Sequence, residues 1–362
     1  MKILIYGAGV TGKKVFELLC NEYEMENEIA GFIDKNKCGQ YCGYPIYKLD
    51  EVKEFEGRIL IALFNVDMAI EACKEIKSIL HNDVFWYQYK RTVVRDDFFA
   101  EQCIDCSAWE GNILPQVEMH IVDSCNLNCR GCAHFSPIFP NDFPDLNSRL
   151  SDVKKLKSKL SHIIRFFILG GEPFLNPEIK EYICGIRRIL PDTQLTIVTN
   201  GLLIERLDET VLTCIKDNDV LVSVSEYPPT HDRICSIRQI LEENRILYEI
   251  RAASGREKFN MPFSLSDHSK YSRTCISNGC VTIWNGKISR CPQLMYVPYF
   301  NSYFQTKLPE EGVMSLDESP EGEELFRALK EEVPLCRHCV EKPIAWGICG
   351  KNAQLEDFAT YE

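Results

Sequence analysis

The sequence predicts an α/β protein in three parts: an N-terminal parallel sheet, a central β/α barrel and a small cysteine-rich C-terminal unit. Three observations predict it. Apolar strand-like runs alternate with helix-period stretches over the first ~90 residues and again from residue 117. The alternation breaks near residue 271 into turn-rich sequence. Nine of the 18 cysteines gather there and in one short loop before it.

In the first part, KILIY (2 to 6), EIAGFID (28 to 34), RILIALF (58 to 64) and VFWYQY (84 to 89) read as strands, with a helix over 11 to 22. Gly7, Gly9 and Gly12 form GxGxxG between the first strand and the helix, and Asp34 ends the second strand. In a dinucleotide fold such glycines admit a pyrophosphate to the helix N-terminus, and the acid takes a ribose hydroxyl. About 90 residues supply little more than one mononucleotide half. A structural or docking role is therefore the alternative. A polar connector follows from 91 to 115 with the CxxC pair Cys103 and Cys106, and a domain boundary is placed in it.

The second series starts at VEMHIV (117 to 122) and continues at RFFILG (165 to 170), QLTIVT (194 to 199), VLVSVS (220 to 225) and ILYEIR (246 to 251). Helix-like stretches at 151 to 161, 178 to 189 and 234 to 243 lie between. Repeated strand and helix predict a partial or full β/α barrel, with no sixth strand placed. VTIWNGKISRC (281 to 291) reads as a hairpin inside a metal-stapled third unit. The expected division is 1–95, a linker at 96–116, a barrel at 117–268 and a final domain at 269–362.

The 53 acidic and 41 basic residues give a net charge of -12, which repels phosphate backbones and anionic lipid and argues against nucleic acid as a partner. No apolar run reaches the ~20 residues that span a bilayer, and the first residues lack the build of a signal peptide. A cytoplasmic protein with no membrane partner is expected. In a reducing compartment 18 cysteines call for ligation rather than disulfides. Cys20, Cys73, Cys184 and Cys214 stand singly among apolar neighbours and read as small buried hydrophobes.

DSCNLNCRGC (123 to 132) places Cys125, Cys129 and Cys132 within eight residues, directly after a strand. Thiolates are soft ligands for iron–sulfur clusters, and three of them leave one iron open, unlike the closed zinc knuckle that is the alternative. Here the sequence resembles the radical S-adenosylmethionine (SAM) superfamily over roughly residues 117 to 350. The resemblance implies a [4Fe–4S] cluster whose open iron binds the amino and carboxylate groups of SAM. It implies reductive cleavage of SAM to a 5′-deoxyadenosyl radical, which takes a hydrogen atom from substrate, and a reductant such as flavodoxin or ferredoxin.

Gly170, Gly171, Glu172 and Pro173 look like the family's GGEP, whose backbone receives the SAM amino group; glycine there lets the backbone approach a ligand. Thr199, Asn200 and Gly201 match its TNG. The family's aromatic residue before the third cysteine is replaced by Gly131, so the adenine is expected against His134 or Phe135. Cys275, Gly286 and Cys291 look like the opening of the SPASM and Twitch extensions, which hold auxiliary clusters. One auxiliary [4Fe–4S] cluster on Cys275, Cys291, Cys336 and Cys339 is expected. Cys280 and Cys349 are alternative ligands, and a zinc ribbon on the same thiols is the alternative metal. The segment 31 to 52 resembles the N-terminal domains of sugar acetyltransferases and related nucleotide-sugar enzymes. The expected ligand of the first domain is a nucleotide or nucleotide sugar, and the expected substrate a small molecule such as a sugar or nucleotide sugar. A peptide substrate is the second reading and a non-enzymatic metal-binding protein the third.

Overall fold

The computed structural model describes residues 1–88, 97–140, 143–251, 258–267, 275, 279–350 and 352–361. The protein is a mixed α/β chain of two compact units, Met1–Pro115 and Gln116–Glu362. The expected strand end at residue 89 and the expected break near residue 271 lie outside the described residues.

The first unit runs β1 (Ile3–Tyr6), α1 (Val10–Asn21), β2 (Ile29–Ile33), β3 (Gly39–Tyr41), β4 (Tyr44–Tyr47), β5 (Arg58–Ile61), α2 (Val66–Ile79), β6 (Asp83–Tyr87), α3 (Phe98–Gln102) and β7 (Cys103–Asp105). The sheet order is β3-β4-β2-β1-β5-β6-β7. Its central pairs are parallel, with Ile3 to Tyr6 set beside Ile29 to Ile33 on one side and Arg58 to Ile61 on the other. Such strands are covered on both faces, which is why ILIY and RILI read as continuous apolar runs. Ile3, Ile5, Val15, Leu19, Phe32 and Leu60 make the core between sheet and helix.

The connector departs from expectation. α3 and β7 belong to this unit, β7 pairing antiparallel with β6, so the boundary falls at Pro115 and not at residue 95. Cys103 and Cys106 are both buried, and the Cys106 thiol hydrogen-bonds with Cys73 of α2. This CxxC pair packs in the fold.

The second unit contains β8 (Ile113–Val122), α4 (Leu146–Ser158), β9 (His162–Gly170), α5 (Ile179–Ile189), β10 (Gln194–Thr199), α6 (Glu209–Asp217), β11 (Leu221–Ser225), α7 (Pro228–His231), α8 (Ile234–Glu243) and β12 (Tyr248–Arg251). Beyond them come β13 (Lys258–Ser264), β14 (Val281–Trp284), β15 (Lys287–Ser289), α9 (Pro292–Phe304), β16 (Met314–Ser315), α10 (Gly322–Lys330), β17 (Cys339–Ala345) and β18 (Ala359–Thr360). One sheet is ordered β12-β11-β10-β9-β8-β14-β15-β16, and a small one β17-β13-β18. β9 to β12 pair in parallel, as do β8 and β14.

The sixth parallel strand is therefore β14, drawn from the segment read as the first arm of a hairpin. The hairpin is present as well: β14 and β15 pair antiparallel across Asn285 (φ 49°) and Gly286 (φ 72°), the two left-handed residues that a tight Asn-Gly turn requires. Because this hairpin extends the barrel sheet, the expected separate domain at 269–362 is not a separate compact unit. Among the described residues no helix is long and apolar enough to cross a membrane.

Candidate active site

The site forms where β8 to β12 end, which is where barrels of this kind place their chemistry. β8 runs into the three-cysteine loop, β9 ends at Gly170 and β10 at Thr199. These ends are sewn together by the backbone. Gly171 N–H donates to the Val122 carbonyl at 2.9 Å and Glu172 N–H to the Ser124 carbonyl at 3.0 Å.

The far side of the cysteine loop is held by the C-terminal segment. Arg130 N–H donates to the Gly347 carbonyl, Gly131 N–H to the Asp357 carbonyl (both 2.8 Å) and Cys349 N–H to the Asn128 carbonyl (2.9 Å). The Arg130 Nε adds an ion pair to Asp357 at 2.7 Å. Gly131, where the resemblance expects an aromatic residue, has φ 67°. A glycine is the residue that turns the chain in that left-handed region without steric cost, which accounts for the departure.

Cys125, Cys129 and Cys132 line one cavity of about 190 Å³, together with Gly170, Gly171, Thr199, Asn200, Ser225, Tyr227 and Arg251. Burial pushes Cys125 up to about 11 and Cys129 up to about 12, so each favours its neutral thiol until a cation offsets the charge. Cys132 differs. Burial raises it, but the hydrogen bond from His134 and that ring's charge hold it below the usual thiol value. His134 lines the same cavity with Nε2 3.4 Å from Glu118 Oε1. Burial works against its charge, yet bonding to Cys132 and Glu118 carries it up to about 10.

Glu172 is wholly buried and joins the two glycine turns. Its Oε1 accepts from Thr199 Oγ1 at 2.7 Å and its Oε2 from Asn200 N–H at 2.9 Å. Asn200 then donates through Nδ2 to Asn126 Oδ1 at 2.6 Å, inside the cysteine loop. The chain of contacts runs GGEP, TNG, cysteine loop. Pro173 opens the short 3-10 turn after Glu172, and Gly201 N–H donates to Thr199 Oγ1 at 2.9 Å.

The donor set fits an iron–sulfur cluster with one open iron. Three soft thiols face a common cavity, and no fourth cysteine is among its lining residues. Cys349 lies within electrostatic reach of Cys129 and Cys132 and shares a core cluster with Cys291 and Cys339. Among the described residues no three His, Cys, Asp or Glu side chains are gathered as a single-ion site would need.

Two sequence expectations are corrected here. Phe135 does not face the cavity. Its backbone sits at φ 54° and its ring is fully buried against Phe263, Phe300 and Phe358 in an aromatic core, leaving His134 as the one of the pair that lines the site. Asp34 does not present a free carboxylate for a ribose. Its Oδ2 accepts from Ala8 N–H at 2.9 Å and its Oδ1 from Asn36 and Lys37 N–H at 2.9 and 3.0 Å. Partial burial raises its pKa, but those three donors outweigh it and hold the carboxyl below its usual value.

Gly171 has a packing reason beside the expected ligand approach. A Cβ there would stand 2.1 Å from the Ser124 carbonyl oxygen, and one at Gly170 would stand 1.9 Å from the Val122 oxygen. Gly171→Val is therefore expected to displace the cysteine loop, so that iron content and SAM binding fall together. Iron analysis beside SAM titration checks this; intact iron with lost SAM binding would leave ligand approach as the glycine's one role.

Of the expected auxiliary ligands, Cys275 is exposed, Cys291 buried, and Cys336 and Cys339 half-buried. Cys275 lies within electrostatic reach of Cys280, Cys291 and Cys339, and Cys336 of Cys339. Burial pushes Cys280, Cys291 and Cys339 each up to about 12. Cys280 thus joins this group, with Gln116 Nε2 3.3 Å from its sulfur. Sequence reasoning missed Ser225, Tyr227 and Arg251; their signal was position, since all three end or follow barrel strands.

Residues 119–259 match the family model described as the Radical SAM superfamily. Over those residues the chain carries a radical SAM domain, the class that binds SAM and a [4Fe–4S] cluster. Among curated proteins it is similar to GTP 3′,8-cyclase of Microcystis aeruginosa (strain NIES-843 / IAM M-2473), 29% identical over 102 residues. That match spans 27% of this chain and only 31% of the cyclase. Among solved structures it is similar to BtrN in complex with AdoMet and 2-DOIA, at 13% identity and TM-score 0.39 over 69% of this chain and 99% of that one. It is also similar to native anSMEcpe with bound AdoMet and Cp18Cys peptide, at 21% identity and TM-score 0.31, over 38% and 42% of the two chains.

Proposed function

We propose that this enzyme cleaves SAM reductively and removes a hydrogen atom from a small-molecule substrate such as a sugar or nucleotide sugar. One observation carries the reading: the three thiols, the GGEP turn and the TNG turn line a single cavity at the strand ends. A [4Fe–4S] cluster with SAM at its open iron would supply a 5′-deoxyadenosyl radical there. Cys125, Cys129 and Cys132 would hold the cluster. The backbone at Gly170 and Gly171 would receive the SAM methionine, and Glu172 fixes that turn to the one at Asn200. Tyr227, half-buried and with its phenol pushed up by desolvation, forms part of the wall. Cys275, Cys291, Cys336 and Cys339, with Cys280 beside them, suit one auxiliary cluster.

The small-molecule preference rests on two supports: the curated relative is named for a reaction of GTP, and the first unit carries the GxGxxG loop. Its Gly9 is open, since an added Cβ meets no atom within 4 Å, and Val10 beside it is 77% exposed. Gly12 instead packs α1 on the loop, as a Cβ there would stand 1.9 Å from the Gly7 oxygen. In the full chain, Gly9→Val is expected to abolish nucleotide or nucleotide-sugar binding with the fold intact, while Asp34→Ala loosens the loop itself. Calorimetry against a nucleotide and nucleotide-sugar panel checks this. Binding retained by Gly9→Val would make the first unit a scaffold. The reaction itself is tested by anaerobic incubation with SAM, reductant and a panel of nucleotide sugars and peptides. Stimulation of 5′-deoxyadenosine by peptides alone would overturn the substrate class.

A further inference from the structure

We propose that Cys184 and Cys214 form a dithiol modification site on the outside of the barrel, closing reversibly into a disulfide by exchange with a low-molecular-weight disulfide and binding trivalent arsenicals. Their sulfurs are 3.7 Å apart, on neighbouring helices α5 and α6. Read alone in the sequence, each passed for a buried hydrophobe. In the fold Cys184 is exposed and Cys214 half-buried, and neither lines the cavity of the candidate active site.

The proximity is built by the register of the two helices. One turn before the thiols, Lys180 Nζ donates to Thr210 Oγ1 at 2.8 Å. One turn after them, the Arg187 guanidinium donates to the Asn218 carbonyl through Nε (3.0 Å) and Nη2 (2.8 Å). The thiols are the middle rung of this ladder. Asn218 Nδ2 stands 3.6 Å from the Cys214 sulfur and 3.9 Å from that of Cys184, a donor placed to stabilise thiolate on either. From van der Waals contact the two sulfurs need approach only to the ~2 Å of a disulfide.

The exchange balances as follows. The exposed Cys184 thiolate attacks one sulfur of the small disulfide and releases one thiolate. Cys214, whose thiol burial pushes up to about 12, then gives its proton to solvent and attacks the Cys184 sulfur, releasing the second. Two protein thiols are oxidised and one small disulfide is reduced to two thiols. In reducing compartments such bridges are typically transient and redox-sensing. This one would tie together the helices that follow the GGEP and TNG turns, the same turns that Glu172 joins.

The test uses full-length, anaerobically handled protein titrated with mixtures of oxidised and reduced glutathione, then alkylated and mapped as non-reduced peptides. A linked Cys184–Cys214 peptide is expected, absent from Cys184→Ser and Cys214→Ser, with glutathione accumulating on Cys184 in the latter. The exposed Cys38 and Cys235 serve as markers of unselective modification. Glutathione on Cys184 with no 184–214 link at any ratio would overturn the proposal. Phenylarsine oxide gives a second readout: it should protect both thiols from alkylation in the wild type and neither in the single variants. Equal protection of Cys38 and Cys235 would also count against the site.

Discussion

Replacing Cys125, Cys129 and Cys132 together with alanine abolishes SAM cleavage and removes about half of roughly eight irons per chain, the share of one [4Fe–4S] cluster out of two. The variant should fold, because the loop is anchored by backbone groups that alanine keeps. Asn128 and Ser124 accept, and Arg130 and Gly131 donate, without any cysteine side chain. Loss of iron can therefore be assigned to lost ligands rather than a collapsed loop. The remaining iron should belong to the group of Cys275, Cys291, Cys336 and Cys339. Zinc there in anaerobically purified protein would refute the auxiliary cluster, and unchanged iron in the triple variant would refute the first site.

Glu172→Ala is expected to cost roughly 2 to 5 kcal/mol, since it leaves the Thr199 hydroxyl and the Asn200 N–H buried without their acceptor. In a unit of this size that lowers Tm by roughly 5 to 15 °C. SAM affinity should fall by about tenfold or more, because each ~1.4 kcal/mol of lost positioning is a factor of 10. Glu172→Gln keeps an oxygen for Thr199 but turns an amide donor toward the Asn200 N–H, so its loss should be intermediate.

The same residue sets a pH dependence. Burial pushes Glu172 from 4.5 up to about 7, against the pull of the Asn200, Thr199 and Phe174 donors. Between those values the unfolded carboxyl has lost its proton while the folded one keeps it, so the folded state binds more protons and stability falls as pH rises. Below about 4.5 and above about 7 this residue contributes no slope. Glu172→Gln should flatten the curve across that window. Denaturant titrations at closely spaced pH check the sign, and a stability that rises between the two values by the same difference would contradict it.

The chemistry of the site was legible because its motifs are local. Three thiols in eight residues, GGEP and TNG each sit at a strand end, and the strands themselves show in apolar periodicity. What was hidden depends on contacts distant in sequence. β14 reaches β8 with Thr282 opposite Glu118, and the Arg130 pair with Asp357 spans 227 positions, so neither has a local signal. Phe135 misled because an aromatic residue beside a cysteine motif looks like a ligand contact, whereas a left-handed backbone turned it into the core. Asp34 sits where a ribose acid would, but sequence cannot say that Ala8, Asn36 and Lys37 already use its oxygens. The connector read as a linker because α3 and β7 are each only a few residues long.

The most direct measurement is anaerobic incubation of the reconstituted protein with SAM and a strong reductant, followed by analysis for nucleoside products. The site predicts 5′-deoxyadenosine and methionine in equal amounts from the wild type, and none from the variant lacking Cys125, Cys129 and Cys132. A wild-type protein that holds its full iron yet leaves SAM intact would contradict the account.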